Sequence, residues 1–194
     1  MSTSEKPRYH HGDLRAALLG AAMDLLEEDG SGLSLRAVAR RAGVSPTAPY
    51  RHFADKEALE SELAAQGFAE LGRRLGAAGP QPPAPDDFAT LAVNYVRFAL
   101  DRPALFRLMF GNPCTTTDDA RSAAAAELGE SVLTCVSRTF PRADAEALAT
   151  AGWALVHGLA FLHLDGKLPA TNAEEVEARV RSAITAILTL PSQT

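Results

Sequence analysis

The sequence predicts an all-α protein, with a three-helix N-terminal domain followed by a helical C-terminal domain, about nine helices in all. Three observations predict it. Apolar residues recur at three- and four-residue steps along most of the chain. Ser, Thr and Asp caps and Gly and Pro breaks punctuate those runs. The C-terminal half carries no strand signature. A hydrophobic fraction of 46% with 22% charged residues is globular composition, and 194 residues are enough for a small domain fused to a medium one.

Residues 1–11 lack apolar periodicity and read as an arm whose Lys6, Arg8, Tyr9, His10 and His11 could lie against DNA. The His10-His11 pair has no third ligand nearby, so no metal is expected. A first helix runs from an Asp13 cap to Gly30 on a stripe of Leu14, Leu18, Ala21, Ala22 and Leu25. Acids at its far end (Glu27, Glu28, Asp29) oppose the helix dipole, so packing is expected to hold that end. The second helix is capped by Ser34 and stopped by Gly43. Leu35, Val38, Ala39 and Ala42 face inward, and Arg36, Arg40 and Arg41 face solvent or phosphate.

A short third helix, Pro46 to His52, opens on Ser45-Pro46 and points Pro49 and Phe53 inward. Thr47 and Arg51, one helical turn apart, then share the outward face, with Tyr50 at its flank. Pro49 lacks the N–H with which the helical ladder would begin. A fourth helix, capped by Asp55, runs through Leu59, Leu63, Phe68 and Leu71 to Gly76. Its N-terminus with Lys56 is suited to a phosphate. The stretch AAGPQPPAPDD at 77–87 marks a domain boundary, with the fourth helix joining both halves.

Helix five covers about residues 86–101, with Phe88, Leu91, Ala92, Tyr95 and Ala99 on one face. Pro103 opens a sixth, ended by Gly111-Asn112-Pro113, and a seventh runs from Thr117-Asp118-Asp119 to Phe140. Helix eight, from Asp144 to Asp165-Gly166, is apolar nearly all round and is expected to be buried on every side. Helix nine starts with a capping box, Thr171-x-x-Glu174, and ends before Pro191. Its stripe is broader than one neighbour requires, so helices eight and nine read as half of an intermolecular four-helix bundle. The candidate interface is Leu155, Leu159, Leu162, Val176, Val180, Ile184, Ile187 and Leu188; an intramolecular core is the alternative.

Net charge is −5, yet residues 36–56 hold four arginines and one lysine against the single acid Asp55. A basic island in an acidic chain can still supply a DNA footprint, because phosphate contact depends on local charge. Within it, Arg51 could donate two hydrogen bonds to guanine and Thr47 could touch a base edge or a thymine methyl. Tyr50, His52 and Lys56 suit phosphate, which positions without specifying. The candidate DNA-binding set is Arg36, Ser45, Thr47, Ala48, Tyr50, Arg51, His52 and Lys56, with the helix-turn-helix motif at 34–53.

The block LSLRAVARRAGVSPTAPYRHFADKEALESEL, including Gly43-Val44-Ser45, Tyr50, His52-Phe53 and Lys56-Glu57-Ala58-Leu59, resembles the DNA-binding domain of TetR-family bacterial transcriptional regulators. The resemblance covers residues 11–71 and departs from the family at Pro49, where many members carry a non-proline apolar residue. It implies a homodimer on a palindromic double-stranded operator, with the third helix in the major groove. Trp153-Ala154-Leu155-Val156-His157-Gly158 is similar to a Trp-x-x-x-His-Gly motif of one subgroup. That similarity implies a helical pocket for a small-molecule effector and dimerisation through the last two helices of 77–194.

Trp153, His157 and Phe161 fall one turn apart on one helix face. Tyr95, Phe98, Phe106, Met109 and Phe110 complete a candidate effector pocket, with core packing the alternative for all eight. No phosphate loop, nucleophile elbow or CxxC pattern is present, and His157 and His163 lie on different helix faces, so no enzyme and no cofactor are expected. Cys114 and Cys135 read as reduced thiols, with a disulfide the alternative. No N-terminal signal peptide and no bilayer-spanning run are expected, which points to a cytoplasmic protein without membrane contact. The expected function is a repressor released by an effector; an activator, or a helical carrier without DNA binding, are the alternatives.

Overall fold

A computed structural model describes residues 14–29, 33–76, 84, 87–111 and 120–188. The N-terminal arm, the Asp13 cap, most of the Pro-rich stretch, Cys114, the Thr117–Asp119 start and Pro191 lie outside them. Every regular element among the described residues is helical: α1 Leu14–Asp29, α2 Leu35–Arg41, a 3₁₀ turn Pro49–Arg51, α3 Lys56–Leu75, α4 Phe88–Asp101, α5 Pro103–Gly111, α6 Ala120–Thr139, α7 Ala145–Leu164 and α8 Ala173–Leu188. Two compact units divide between Leu63 and Ala64, inside the continuous helix α3.

The first unit is built on local signals that the side chains honour. Ser34, with extended backbone, accepts a hydrogen bond from the Ala37 N–H at 3.2 Å. Gly43 takes φ +68°, which lets the Val44 N–H reach the Ala39 carbonyl (3.0 Å) and its own N–H the Arg40 carbonyl (3.2 Å). Asp55 caps α3 by accepting from the Ala58 N–H at 2.8 Å. Leu18, Ala22, Val38, Ala39, Leu59 and Leu63 form the buried centre. Arg15 ties α1 to α3 through Glu62 (2.5 Å) and lies 5.6 Å from the centre of the Phe53 ring.

Two expectations change here. The third helix is not α-helical: residues 49–51 form a single 3₁₀ turn, because Pro49 has no N–H to give the Ser45 carbonyl. The acidic end of α1 is not held by packing alone. Arg41 grips Glu28 through both guanidinium nitrogens, Nη1 at 3.0 Å from Oε1, and so serves the α1–α2 joint rather than phosphate. That bond is the main cause holding the Glu28 carboxyl below its usual range.

In the second unit the central element is α4, not α7. Ala92, Val93, Tyr95, Val96, Phe98 and Ala99 are all buried, as α4 packs on α5, α7 and α8. Val176, Val180 and Ile184 of α8 are already buried in the protomer, and so is Leu159 of α7. These four candidate interface residues are therefore core, and most of the α8 stripe packs against α4, leaving Ile187 exposed. The contact is rimmed by Arg97–Glu177 (3.2 Å) and by Arg181 Nη1 donating to Thr90 Oγ1 (3.2 Å).

Helix α7 is the reverse of its expectation. Of its 20 residues only Leu159 and Ala160 are buried, while Trp153 and Leu162 are 53% and 43% exposed. Its mean hydropathy of 1.5 and its length satisfy the composition of a bilayer-crossing segment, which the sequence was expected to lack. In this fold it packs on α4 and α6 and leaves a large apolar face open.

The cap of α8 slides one residue. Asn172 accepts from the Glu175 N–H at 2.9 Å, and Glu175 reaches back to the Thr171 N–H (2.9 Å) and hydroxyl (2.7 Å). The C-terminal part of α3 belongs to this unit. Arg74 pairs with Glu70 (2.9 Å) and Asp101 (2.6 Å), and Arg102 pairs with Glu70 (3.3 Å). At Gly67 the helices are closer still: a Cβ would lie 2.5 Å from Met109 Sδ and 3.2 Å from Leu105 Cδ1. Met109 is itself buried and cannot swing into solvent. Gly67→Ala is expected to destabilise the fold by about 1–3 kcal/mol, read as a lower denaturation midpoint at unchanged m value.

Candidate nucleic-acid interface and effector site

The exposed face of the first unit collects the candidate DNA-binding residues. Arg36, Ser45, Thr47, Tyr50, Arg51, His52 and Lys56 are all exposed, Tyr50 to 53%, and Ala48 is half-buried. Pro49 and Phe53 are buried beneath them, as their spacing predicts. Ser45 does not cap a helix here; its hydroxyl sits 3.2 Å from that of Thr47. The regular helical spacing expected to align Thr47 with Arg51 is absent, since the turns closed by Ala48 and Arg51 both bond at i−3.

Beside this reader lies an open groove of about 300 Å³ lined by Ser34, Leu35, Arg36, Tyr50, Ala54, Asp55 and Lys56. The N-termini of α2 and α3 both open on it, flanked by Arg36 and Lys56. The positive ends of two helix dipoles and two cations suit an oxyanion, although the Ala37 N–H is already given to Ser34 and the Ala58 N–H to the Asp55 carboxylate, which itself lines the groove. Lys56 also pairs with Glu60 at 3.1 Å, on a side chain still half exposed. Sequence reasoning placed Arg36 and Lys56 on DNA, but not the convergence of two helix starts. Ser34 and Asp55 were legible only as caps.

The candidate effector residues of the second unit do come together, but as a packed cluster. His157 is ringed by Phe110, Phe161, Phe106, Trp153 and Tyr95, with ring centres 4.7, 4.9, 5.6, 5.8 and 6.4 Å away. Phe98, Phe106, Met109 and Tyr95 are buried core, whereas Phe110, His157 and Phe161 are half-buried and Trp153 opens to solvent. Phe68 of α3, which sequence reasoning left out, stands edge-on to Phe110 at 5.3 Å. Arg107, also missed, lies 5.7 Å from the Phe161 ring centre while pairing with Asp165 at 2.6 Å.

Polar contacts thread the cluster: the Tyr95 hydroxyl lies 2.9 Å from His157 Nδ1 and is also hydrogen-bonded to the Trp153 side chain. Burial raises the Tyr95 phenol far above its usual range, so the hydroxyl keeps its proton. Burial lowers the His157 pKa, so its imidazole is neutral at pH 7. His163, further along α7, is lowered by the same cause with Arg179 adding to it. Among the described residues no group of three or more His, Cys, Asp or Glu could hold a metal, and Cys135 is a buried thiol pushed up by desolvation.

A histidine lowered on folding leaves stability full above its ordinary value of 6.5 and removes it as pH falls from there through the lowered value. Unfolding free energy is therefore expected to drop as pH falls below about 6.5. His157→Gln, which keeps a hydrogen-bonding group, is expected to flatten part of that drop, with His163 supplying the remainder.

Residues 18–63 match the family described as "Bacterial regulatory proteins, tetR family", and residues 88–187 match "Tetracyclin repressor-like, C-terminal domain". The first match ends where the first compact unit does, at Leu63. An uncharacterized HTH-type transcriptional regulator of Haemophilus influenzae is 34% identical over 117 residues, 59% of this chain, and the match spans 57% of that relative's length. A solved protein of unknown function from Rhodococcus sp. RHA1 is 35% identical, with a TM-score of 0.77 over 92% of this chain and 97% of that one. The multidrug binding protein EbrR, solved with imidazole, is 26% identical with a TM-score of 0.67 over 98% and 97%. A TetR/AcrR-family regulator from Thermobifida fusca shares the fold at 20% identity, TM-score 0.65, over 89% and 96%. With a DNA-binding N-terminal domain and a ligand-binding C-terminal domain, this chain belongs to the TetR family of transcriptional regulators.

Proposed function

We propose that the protein is a cytoplasmic repressor that binds a palindromic operator as a homodimer and is released by a lipophilic small-molecule effector. The observation that carries DNA recognition is the exposed Thr47–Tyr50–Arg51–His52 surface, anchored by buried Pro49 and Phe53 and set beside the groove where two helix N-termini open. Arg51 and Thr47 read bases, while Arg36, Tyr50, His52 and Lys56 fix the register on phosphate, with Ser45 and Ala48 shaping the turn.

Dimerisation rests on the apolar face that the protomer leaves open. Leu162 (43%) and Ile187 (52%) are exposed and Leu155 is half-buried, on the two helices that follow one another at the end of the described chain. Covering such a face is the ordinary reason for a long apolar helix to be so little buried. Two readers must stand about 34–36 Å apart to enter successive major grooves. An effector that binds a different spacing more tightly shifts the population off the operator.

The Trp153-x-x-x-His157-Gly158 motif supports assignment to the subgroup that carries it. The effector would enter at the exposed Trp153 edge, displace the half-buried Phe110 and Phe161 rings, and meet the imidazole of His157. Tyr95, Phe98, Phe106 and Met109 then form the apolar floor. The likeness to a multidrug binding protein favours lipophilic compounds.

Binding to duplex DNA from the chain's own upstream region, titrated against salt, tests the reading. Arg51→Ala is expected to cost about 1–3 kcal/mol at one base position and relax preference there. Lys56→Ala is expected to weaken all sequences alike and to lower the salt slope by about one unit. A protein that binds no duplex with sequence preference overturns the proposal. Leu162→Glu is expected to shift the sedimenting species to monomer and to abolish operator binding at concentrations where the native dimer binds.

A further inference from the structure

The reader segment is closed mainly by short-range i−3 hydrogen bonds. The Ala48 N–H bonds the Ser45 carbonyl (3.0 Å), the Arg51 N–H bonds that of Ala48 (3.2 Å), and the His52 N–H bonds that of Pro49 (2.9 Å), all at i−3. Only the Phe53 N–H, on the Pro49 carbonyl at 2.9 Å, closes an i−4 turn. An α-helix over the same residues needs the N–H of position 49 on the Ser45 carbonyl. Proline has none, and its ring crowds the carbonyl four residues back. The Ser45 carbonyl is taken instead by Ala48, one residue earlier, and the backbone tightens to three residues per turn. Pro49 itself is among the fully buried side chains, below 2% exposure, so it cannot touch DNA.

The tighter turn moves the side chains that can. On an α-helix, Thr47 and Arg51 would stand about 40° apart around the axis and about 6 Å apart along it. Carried back from Pro49–Arg51 to Thr47, 3₁₀ geometry would set them about 120° and about 8 Å apart, with Ala48 rather than Thr47 eclipsing Arg51. Base pairs stack at about 3.4 Å, so a 2 Å change is more than half a step of the duplex. The Ser45 hydroxyl, released from capping, lies 3.2 Å from that of Thr47 and limits its rotamer in this new position.

We propose that Pro49 is a positioning residue for base recognition: buried and remote from the operator, it withholds one amide hydrogen and thereby sets which base pairs Thr47 and Arg51 can reach together. The inference rests on the DNA-binding role proposed above and adds to it a determinant of operator choice that makes no contact with the operator. Glycine, alanine or an aliphatic residue at this position would permit the missing bond. Proteins with identical exposed residues would then read different sites.

The test uses the full-length dimer and duplexes that the native protein selects from a randomised pool, together with every single-base substitution of the selected site. Pro49→Ala and Pro49→Leu are compared with the native protein, the second keeping apolar volume under the turn. In both, preference is expected to change by about fivefold or more at one or two positions of each half-site, with the salt slope unchanged. The backbone amide that each variant introduces is expected to be protected from hydrogen exchange, as a donor to Ser45 would be. Uniform weakening on all duplexes with the ranking preserved would overturn the proposal, since a merely structural residue does that. An unaltered ranking at unaltered affinity overturns it too. A native protein that selects no sequence from the pool sinks the DNA-binding reading itself, which separates the two failures.

Discussion

The hydrogen bond between Tyr95 and His157 is the contact on which the second unit's geometry turns. Hydrophobic burial has no direction, and α7 is apolar nearly all round, so burial alone would let it pack on α4 in several rotations. A phenol buried on α4 needs a partner, because leaving it unmade costs about 1–3 kcal/mol. His157 is that partner, at 2.9 Å. Once it faces α4, Phe161 and Trp153 follow at one turn on either side, and Leu162 falls on the outside. The ring cluster and the open apolar face are thus set by the few directional contacts of an otherwise non-directional helix: Tyr95 with His157 and Trp153, and Arg107 with Asp165 at its end.

Electrostatics in the first unit divides the arginines in a way that counting cannot. Arg41 lies in the same basic island as Arg36, yet it is committed to Glu28, thirteen residues earlier in the chain. Arg15, outside the island, braces Glu62 and lies beside Phe53. What remains outward is a smaller set, Arg36, Arg40, Arg51 and Lys56, of which Arg36 and Lys56 line the groove where two helix N-termini open.

How much of this was legible follows from the range of each signal. Caps and stops are written within a few residues, and Ser34, Gly43, Asp55 and Asp144 do what their spacing says. The cap of α8 slipped by one residue because Thr171-Asn172 and Glu174-Glu175 offer two equivalent boxes, which only the chain path separates. Which long helix is central was not legible. Composition marked α7 as the buried one, but an apolar helix can equally be one whose partner lies outside the protomer. Val176, Val180 and Ile184 were misassigned for the complementary reason: a broad stripe on α8 does not reveal which neighbour covers it. Pro49 was visible as an irregularity, but its effect depended on the Ser45 carbonyl finding another donor.

Gly67 bears on how such proteins can be recombined. The Pro-rich stretch after α3 looks like the natural joint between a reader and a sensor, and a chimera cut there would carry Gly67 from one parent and Met109 from the other. The two sit so close that a single methyl group on the former would overlap the latter's sulfur. A splice in mid-helix, at the Leu63–Ala64 division, keeps both sides of that contact from one parent. The interchangeable cassette in this protein therefore ends inside a helix, and the conspicuous linker is the wrong place to cut.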